Sequence, residues 1–215
     1  MFIKFPFFTF AAIMKDKILD TATNLFLNYG FKSVTMDDIA HNMGISKKTI
    51  YQHYPNKTKL IEASTIYTSN VINNGINQIC KLNKNPIEEV YEIKRFVMKY
   101  LKNEKTSPQY QLQKYYPKIF EKLKKNKFNI MISCVKENLM RGISENLYRD
   151  SININFIATI YFHNVLILKD QEYFSAKEFS ISELMDHYLE YHLRGLCTPK
   201  GLKILNKIID KKQLN

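Results

Sequence analysis

The twenty residues from Thr35 to Tyr54, TMDDIAHNMGISKKTIYQHY, constrain the fold more tightly than any other stretch of this chain. Ile39, Ala40 and Met43 fall on one helical face, and Thr35 with Asp38 three positions later has the spacing of a capping box. Gly44 suits a left-handed turn residue. Ile45 is then an apolar plug, Ser46 can cap a second short helix, and Pro55 stops that helix from passing Tyr54. Two short helices joined by a tight glycine turn form a helix-turn-helix.

A wheel at about 100° per residue divides the second helix into two faces. Ile50 and Tyr54 fall together and, with Lys47 and Tyr51 at their edge, define the side that packs. Opposite lie Lys48, Thr49 and Gln52, with His53 beyond. That side has nothing apolar to bury, and it carries groups suited to base edges: lysine for guanine, glutamine for adenine, threonine for either or for a thymine methyl. The placement of charge points the same way. Lys47 and Lys48 open one helix and Lys57 and Lys59 the next, where the macrodipole disfavours cations but a helix N-terminus welcomes a phosphate. Asp37 and Asp38 occupy the equivalent turn of the preceding helix. The four lysines are therefore expected to be uncompensated until an anion arrives.

The segment from Leu25 to Leu60 resembles the N-terminal domain of the TetR family of bacterial regulators. The resemblance rests on Phe26, Gly30, Thr35, Ile39, Ala40, Gly44, Ile45, Ser46, Thr49, Tyr51, His53, Tyr54 and Lys57 in register. Many family members have a small residue where this chain has Lys48, so the resemblance leaves the recognised base sequence open. It implies phosphate contacts from Thr35, Tyr51, His53 and Lys57, and base-proximal positions for Lys47, Lys48, Thr49 and Gln52, behind the cap Ser46. It also implies double-stranded DNA as partner, a homodimer, and an unidentified small-molecule effector bound among C-terminal helices. The function expected is that of a ligand-responsive transcriptional regulator, a repressor in most such proteins, on a pseudo-palindromic operator. The alternative is a DNA-organising or cell-division protein of the same fold without an effector.

The remainder reads as helix. Six glycines and six prolines leave little material for hairpins, and Lys, Ile, Asn, Leu and Tyr are abundant, so the fold class is all-α. Helix one runs from Lys15 to Tyr29, with Ile18, Ala22, Leu25, Phe26 and Tyr29 on its stripe. Asn56 caps a helix from Lys57 to about Lys81. Asn85-Pro86 and Ser107-Pro108 open two more. Pro117 is expected to kink or split residues 108–126, with another helix from about Phe128 to Leu147. The stretch INFIATIYFHNVLILK, starting at Ile154, is apolar on nearly every side and too short to cross a membrane, so a partner subunit is its expected cover. Helices from Ile181 to Leu196 and after Thr198-Pro199 complete the chain. Three domains follow: an extension over 1–13 upstream of a natural start at Met14, a helix-turn-helix domain over 14–74, and an effector-binding and dimerisation domain over 75–215.

Net charge is +12, yet residues 14–62 hold 7 Lys+Arg against 5 Asp+Glu while 81–128 hold 13 against 5, so the sum does not locate a DNA surface. Cys80, Cys134 and Cys197 lie far apart without a Cys-x-x-Cys pair, which fits a reducing cytoplasm and supports no disulfide framework. His187, Glu183 and Glu190 share helical spacing, but His192 stands five positions from His187, and no metal is expected. His163 reads as an interface or core residue. A Gly-rich phosphate loop, a Gly-x-Ser-x-Gly elbow and paired carboxylates are all missing, so neither an enzyme nor a cofactor is expected. Candidate effector-pocket residues are Phe96, Met98, Tyr100, Tyr115, Tyr116, Phe120, Phe128 and Met131. Candidate dimer-interface residues are Phe156, Ile160, Asn164, Leu184, Tyr188 and Tyr191.

Overall fold

The computed structural model describes residues 10–101, 108–170, 173–175 and 178–213, and ten helices among them carry the fold. Two compact units emerge: Met1–Val71 with Lys102–Lys124, and Ile72–Leu101 with Lys125–Asn215. The division therefore falls three residues before the expected boundary at 74, and the first unit is discontinuous in sequence.

In the first unit α1 (Phe10–Tyr29) buries Ile18, Ala22 and Phe26 completely, the four-residue spacing of a single stripe. Full burial of a side chain such as Phe26 contributes about 1.5–3 kcal/mol. The helix begins earlier than the expected Lys15, because Phe10 to Ile13 contain neither glycine nor proline and extend its first turn. It stops at Gly30, whose φ of 89° is open to glycine and whose N–H returns to the Phe26 carbonyl at 2.9 Å. Helices α2 (Met36–Met43), α3 (Lys47–His53) and α4 (Lys57–Cys80) add Ile39, Ala40, Ile50, Leu60 and Ile61 to the same core. A second stretch of chain finishes it: α6 (Pro108–Tyr115) and the first turns of α7 (Pro117–Ser144) bring Leu112 and Ile119, with Tyr116, Phe120 and Leu123 packed alongside.

Pro117 splits rather than kinks the segment, leaving Tyr116 between two helices. Beyond it α7 is continuous to Ser144, where the sequence had suggested a fresh helix near Phe128. The polar run Lys124 to Lys127 breaks nothing, since lysine loses little side-chain freedom in a helix and no cap or glycine interrupts the stretch.

The second unit packs α5 (Pro86–Leu101), α8 (Ile154–Ile167), α9 (Ile181–Leu196) and α10 (Pro199–Gln213) with the later parts of α4 and α7. Its core holds Ile87, Tyr91, Leu139, Leu147, Tyr148, Leu189, Leu193 and Leu205. Asn85 caps α5, its Oδ1 accepting the N–H groups of Ile87 and Glu88 at 3.1 and 3.0 Å. Charge is buried here as a satisfied network. Glu89, 2% exposed, accepts from Asn138 Nδ2 at 2.8 Å and pairs with Arg141, while the Tyr148 hydroxyl donates to Asn138 Oδ1 at 3.2 Å. Lys94 donates to Ser182 Oγ at 2.8 Å and to Asp186 Oδ2 at 2.9 Å, joining α5 to α9. No helix among the described residues is long and apolar enough to cross a membrane.

Candidate nucleic-acid interface

Each element of the motif is held by a local device written in its sequence. At the start of α2 the Asp38 N–H donates to Thr35 Oγ1 at 3.1 Å, and the Thr35 N–H and hydroxyl both donate to Asp38 Oδ2 at 2.8 Å. This reciprocal box, led by the Thr35 N–H, holds the Asp38 carboxyl below its ordinary pKa. At the end of α2, Gly44 sits at φ 64°, ψ 31°, and its N–H closes on the carbonyls of Ala40 and His41. A Cβ there would meet nothing within 4 Å, so the requirement is one of backbone conformation rather than space. Ser46 then caps α3, its Oγ accepting the Thr49 N–H at 3.1 Å.

The two faces of α3 follow the wheel. Ile50 is fully buried and Tyr54 nearly so, with the Tyr54 hydroxyl donating to the Lys15 carbonyl at 3.4 Å. Burial raises the Tyr54 phenol pKa. Lys47, Lys48, Tyr51 and Gln52 are exposed, and Thr49 and His53 are half-buried. The Thr49 hydroxyl lies 2.8 Å from Ser46 Oγ, so it already has a hydrogen-bond partner before any base approaches.

The lysines correct one expectation. Lys47 Nζ pairs with Asp37 Oδ2 at 2.6 Å, and that hydrogen bond raises its pKa. Lys59 pairs with Glu62 at 2.9 Å. Lys57 donates to the Lys32 carbonyl at 3.1 Å, and its pKa is lowered by partial burial, against the pull of Asp38. The helix starts are thus not left with four bare cations, because carboxylates and a carbonyl from neighbouring turns reach three of them. Among the described residues Lys48 makes neither an ion pair nor a hydrogen bond.

The other candidates are divided between the two units. Tyr115, Tyr116 and Phe120 belong to the first unit, where Tyr116 and Phe120 support its core. In the second unit the Phe96 ring lies over the bare backbone of Gly75, where a Cβ would come within 2.0 Å of it. Phe128 meets Phe162 edge-on at 5.0 Å, Met98 and Met131 pack on the second core, and Tyr100 is half-buried. Of the interface candidates, Phe156, Ile160 and Tyr191 face outward. Asn164 donates to the Tyr188 hydroxyl at 3.5 Å, with both side chains half-buried. Leu184 is covered by its own chain, so its burial needs no second subunit. His163 is exposed beside Phe162, and His187 is exposed too. His192 instead lies against Tyr161 and Tyr188, at 5.3 and 5.4 Å between ring centroids.

A capped α2, a left-handed glycine turn and an anchored α3 with a polar outer face define a helix-turn-helix protein. Residues 18–64 match the sequence model described as bacterial regulatory proteins, tetR family. Over this segment the chain carries an N-terminal domain of the TetR type. It is similar to IcaR of Staphylococcus aureus (strain Newman), the negative transcriptional regulator of the biofilm operon icaADBC, at 34% identity over 79 residues, 37% of this chain and 42% of IcaR. With IcaR of Staphylococcus epidermidis it shares 43% identity over 51 residues, 24% of this chain and 28% of that protein. The chain thus aligns with less than half the length of these relatives. A TetR-family transcriptional regulator from Agrobacterium tumefaciens has the same fold, with a TM-score of 0.70, 18% identity, and coverage of 87% of this chain and all of that one. So does SmeT, the repressor of the Stenotrophomonas maltophilia multidrug efflux pump SmeDEF, with a TM-score of 0.66 and 14% identity over 86% of this chain and 91% of that one.

Proposed function

We propose that the chain is a transcriptional regulator acting in the cytoplasm, most simply a repressor, that binds a pseudo-palindromic DNA operator as a homodimer and releases it on binding a small molecule. The observation that carries this reading is the outer face of α3, where Lys48, Tyr51 and Gln52 are exposed while Ile50 and Tyr54 fix the helix from behind. Long polar side chains on a rigid, shallow helix fit the major groove, which is wide enough to admit one helix and displays a distinct pattern for each base pair. Thr35, Tyr51, His53 and Lys57 hold phosphates in this reading, and Lys48 and Gln52 read bases, with Lys47 and Thr49 beside them. The outward apolar side chains Phe156, Ile160 and Tyr191 suit a two-fold contact between copies. A small apolar effector would bind among the helices of the second unit.

Sequencing the duplexes that the purified protein retains from a random pool tests the reading. The expected result is a two-fold symmetric consensus. Tyr51→Phe and Lys57→Ala then weaken all duplexes alike, Lys57→Ala also lowering the log–log salt slope by about 1, whereas Lys48→Ala and Gln52→Ala change the preferred bases. Recovery of no duplex above background would end the proposal. Dimer formation has its own check, since Phe156→Arg should sediment as a monomer with unchanged helicity.

A further inference from the structure

Helix α6 places a second cationic feature beside the motif. Its Gln111 Oε1 accepts the Lys32 N–H at 3.1 Å, and the Gln111 amide occupies the space a Cβ at Gly30 would fill, 2.4 Å from Nε2. With α6 seated on the turn between α1 and α2, Lys32 Nζ lies 4.8 Å from the centroid of the Tyr115 ring and Lys114 Nζ lies 5.7 Å from the same centroid. Lys114 also donates to the Tyr110 hydroxyl at 3.1 Å. Tyr110, Lys114, Tyr115 and Lys32 are all exposed. Among the described residues neither ammonium has a carboxylate partner, and the acids of the adjoining α2 turn are engaged, Asp37 by Lys47 and Asp38 by Thr35.

Two ammonium groups at one exposed aromatic ring raise the local positive potential, and an anion that approaches them lowers it. The patch is continuous with the motif, because the Lys32 carbonyl accepts from Lys57 Nζ at 3.1 Å and Thr35 caps α2 three residues beyond Lys32. A duplex carries a backbone charge every few ångströms, so a cationic patch next to a phosphate-binding helix start meets the neighbouring phosphates of the same strand. We propose that Lys32 and Lys114, arrayed at Tyr115 by the docking of α6, form an additional contact with the DNA phosphate backbone flanking the bases read by α3. The inference rests on the DNA-binding reading above. The contact is blind to sequence, adding affinity and salt sensitivity but no base preference.

The test uses the full chain and the duplex selected from a random pool, with dissociation constants measured over a range of salt concentrations. Lys32→Gln combined with Lys114→Gln, which removes the charge and keeps a polar side chain one atom shorter, should lower the log–log slope by about 1.8 and weaken binding about tenfold at low salt. The selected consensus should be unchanged. A Tyr115→Leu variant should lose part of the same slope while circular dichroism stays at the wild-type level. A wild-type slope in the double variant, measured alongside a lowered slope for Lys57→Ala, would overturn the α6 contact and leave the wider reading standing. A wild-type chain that binds no duplex at all would remove both.

Discussion

Lys47 and Lys48 are neighbours in different circumstances. Lys47 is tied to Asp37 at 2.6 Å, while Lys48 extends from the same turn without a partner among the described residues. An exposed ion pair of this kind exchanges readily with water and with other anions, so Asp37 acts as a competitor for any phosphate that Lys47 could reach. Asp37→Asn should therefore tighten duplex binding severalfold and steepen its salt dependence, as read by fluorescence anisotropy; weaker binding would show that Lys47 needs its carboxylate for positioning. A different residue answers to pH. Burial against Tyr161 and Tyr188 lowers the His192 pKa from 6.5 to about 4. As pH falls the unfolded chain takes up that proton first, so the stabilisation is whole above pH 6.5 and is lost on the way down to about 4. The full interval is worth up to about 3 kcal/mol. Urea midpoints measured across it should fall less steeply in His192→Phe than in the wild type.

Single helices are where the sequence was most legible. Thr35 with Asp38, Ser46, Asn56 and Asn85 cap the helices they were expected to cap, and Pro117 ends one and begins the next. Caps and prolines act within three or four residues, so their partners lie inside the window that a linear reading covers. The continuity of α7 past Phe128 was not legible in the same way, since residues 118–128 carry neither a proline nor a glycine to mark a helix end. Gly44 offers a clean test at this scale. Its φ of 64° lies in the left-handed region and no atom crowds its Cβ position. Gly44→Ala should cost about 1–2 kcal/mol from backbone conformation alone. Gly44→Asn should cost clearly less, because asparagine tolerates that region. Equal losses in thermal unfolding would mean that something other than the dihedral sets the cost.

Across the whole molecule, the devices hidden from a linear reading are those that join distant positions. Lys47 reaches Asp37 ten residues away, Glu89 reaches Arg141 across 52, and Lys94 reaches Asp186 across 92. Nothing in the local pattern around Glu89 separates it from the solvated glutamates of the same helix, yet it is 2% exposed and ringed by donors. Its removal takes one acceptor from the buried Asn138 amide and the charge partner from the half-buried Arg141 guanidinium. Glu89→Ala should therefore lower unfolding free energy by about 3 kcal/mol in urea titration, with Glu89→Gln intermediate. A loss below the cost of an ordinary surface change would mean that water replaces the carboxylate. The candidate DNA face was legible because its residues are contiguous. The proposed α6 patch was not, because Lys114 stands far along the chain from Lys32.

The discontinuity of the first unit also sets an order of events at the ribosome. After Val71 has emerged, Ile18, Phe26 and Leu60 still await Leu112, Ile119 and Phe120. At about 5–20 residues per second, the intervening stretch takes roughly 3–10 s to synthesise. During that time the nascent head exposes the apolar flank that Leu112 and Ile119 later cover, and a clone truncated after α4 should keep that flank bare and aggregate on purification.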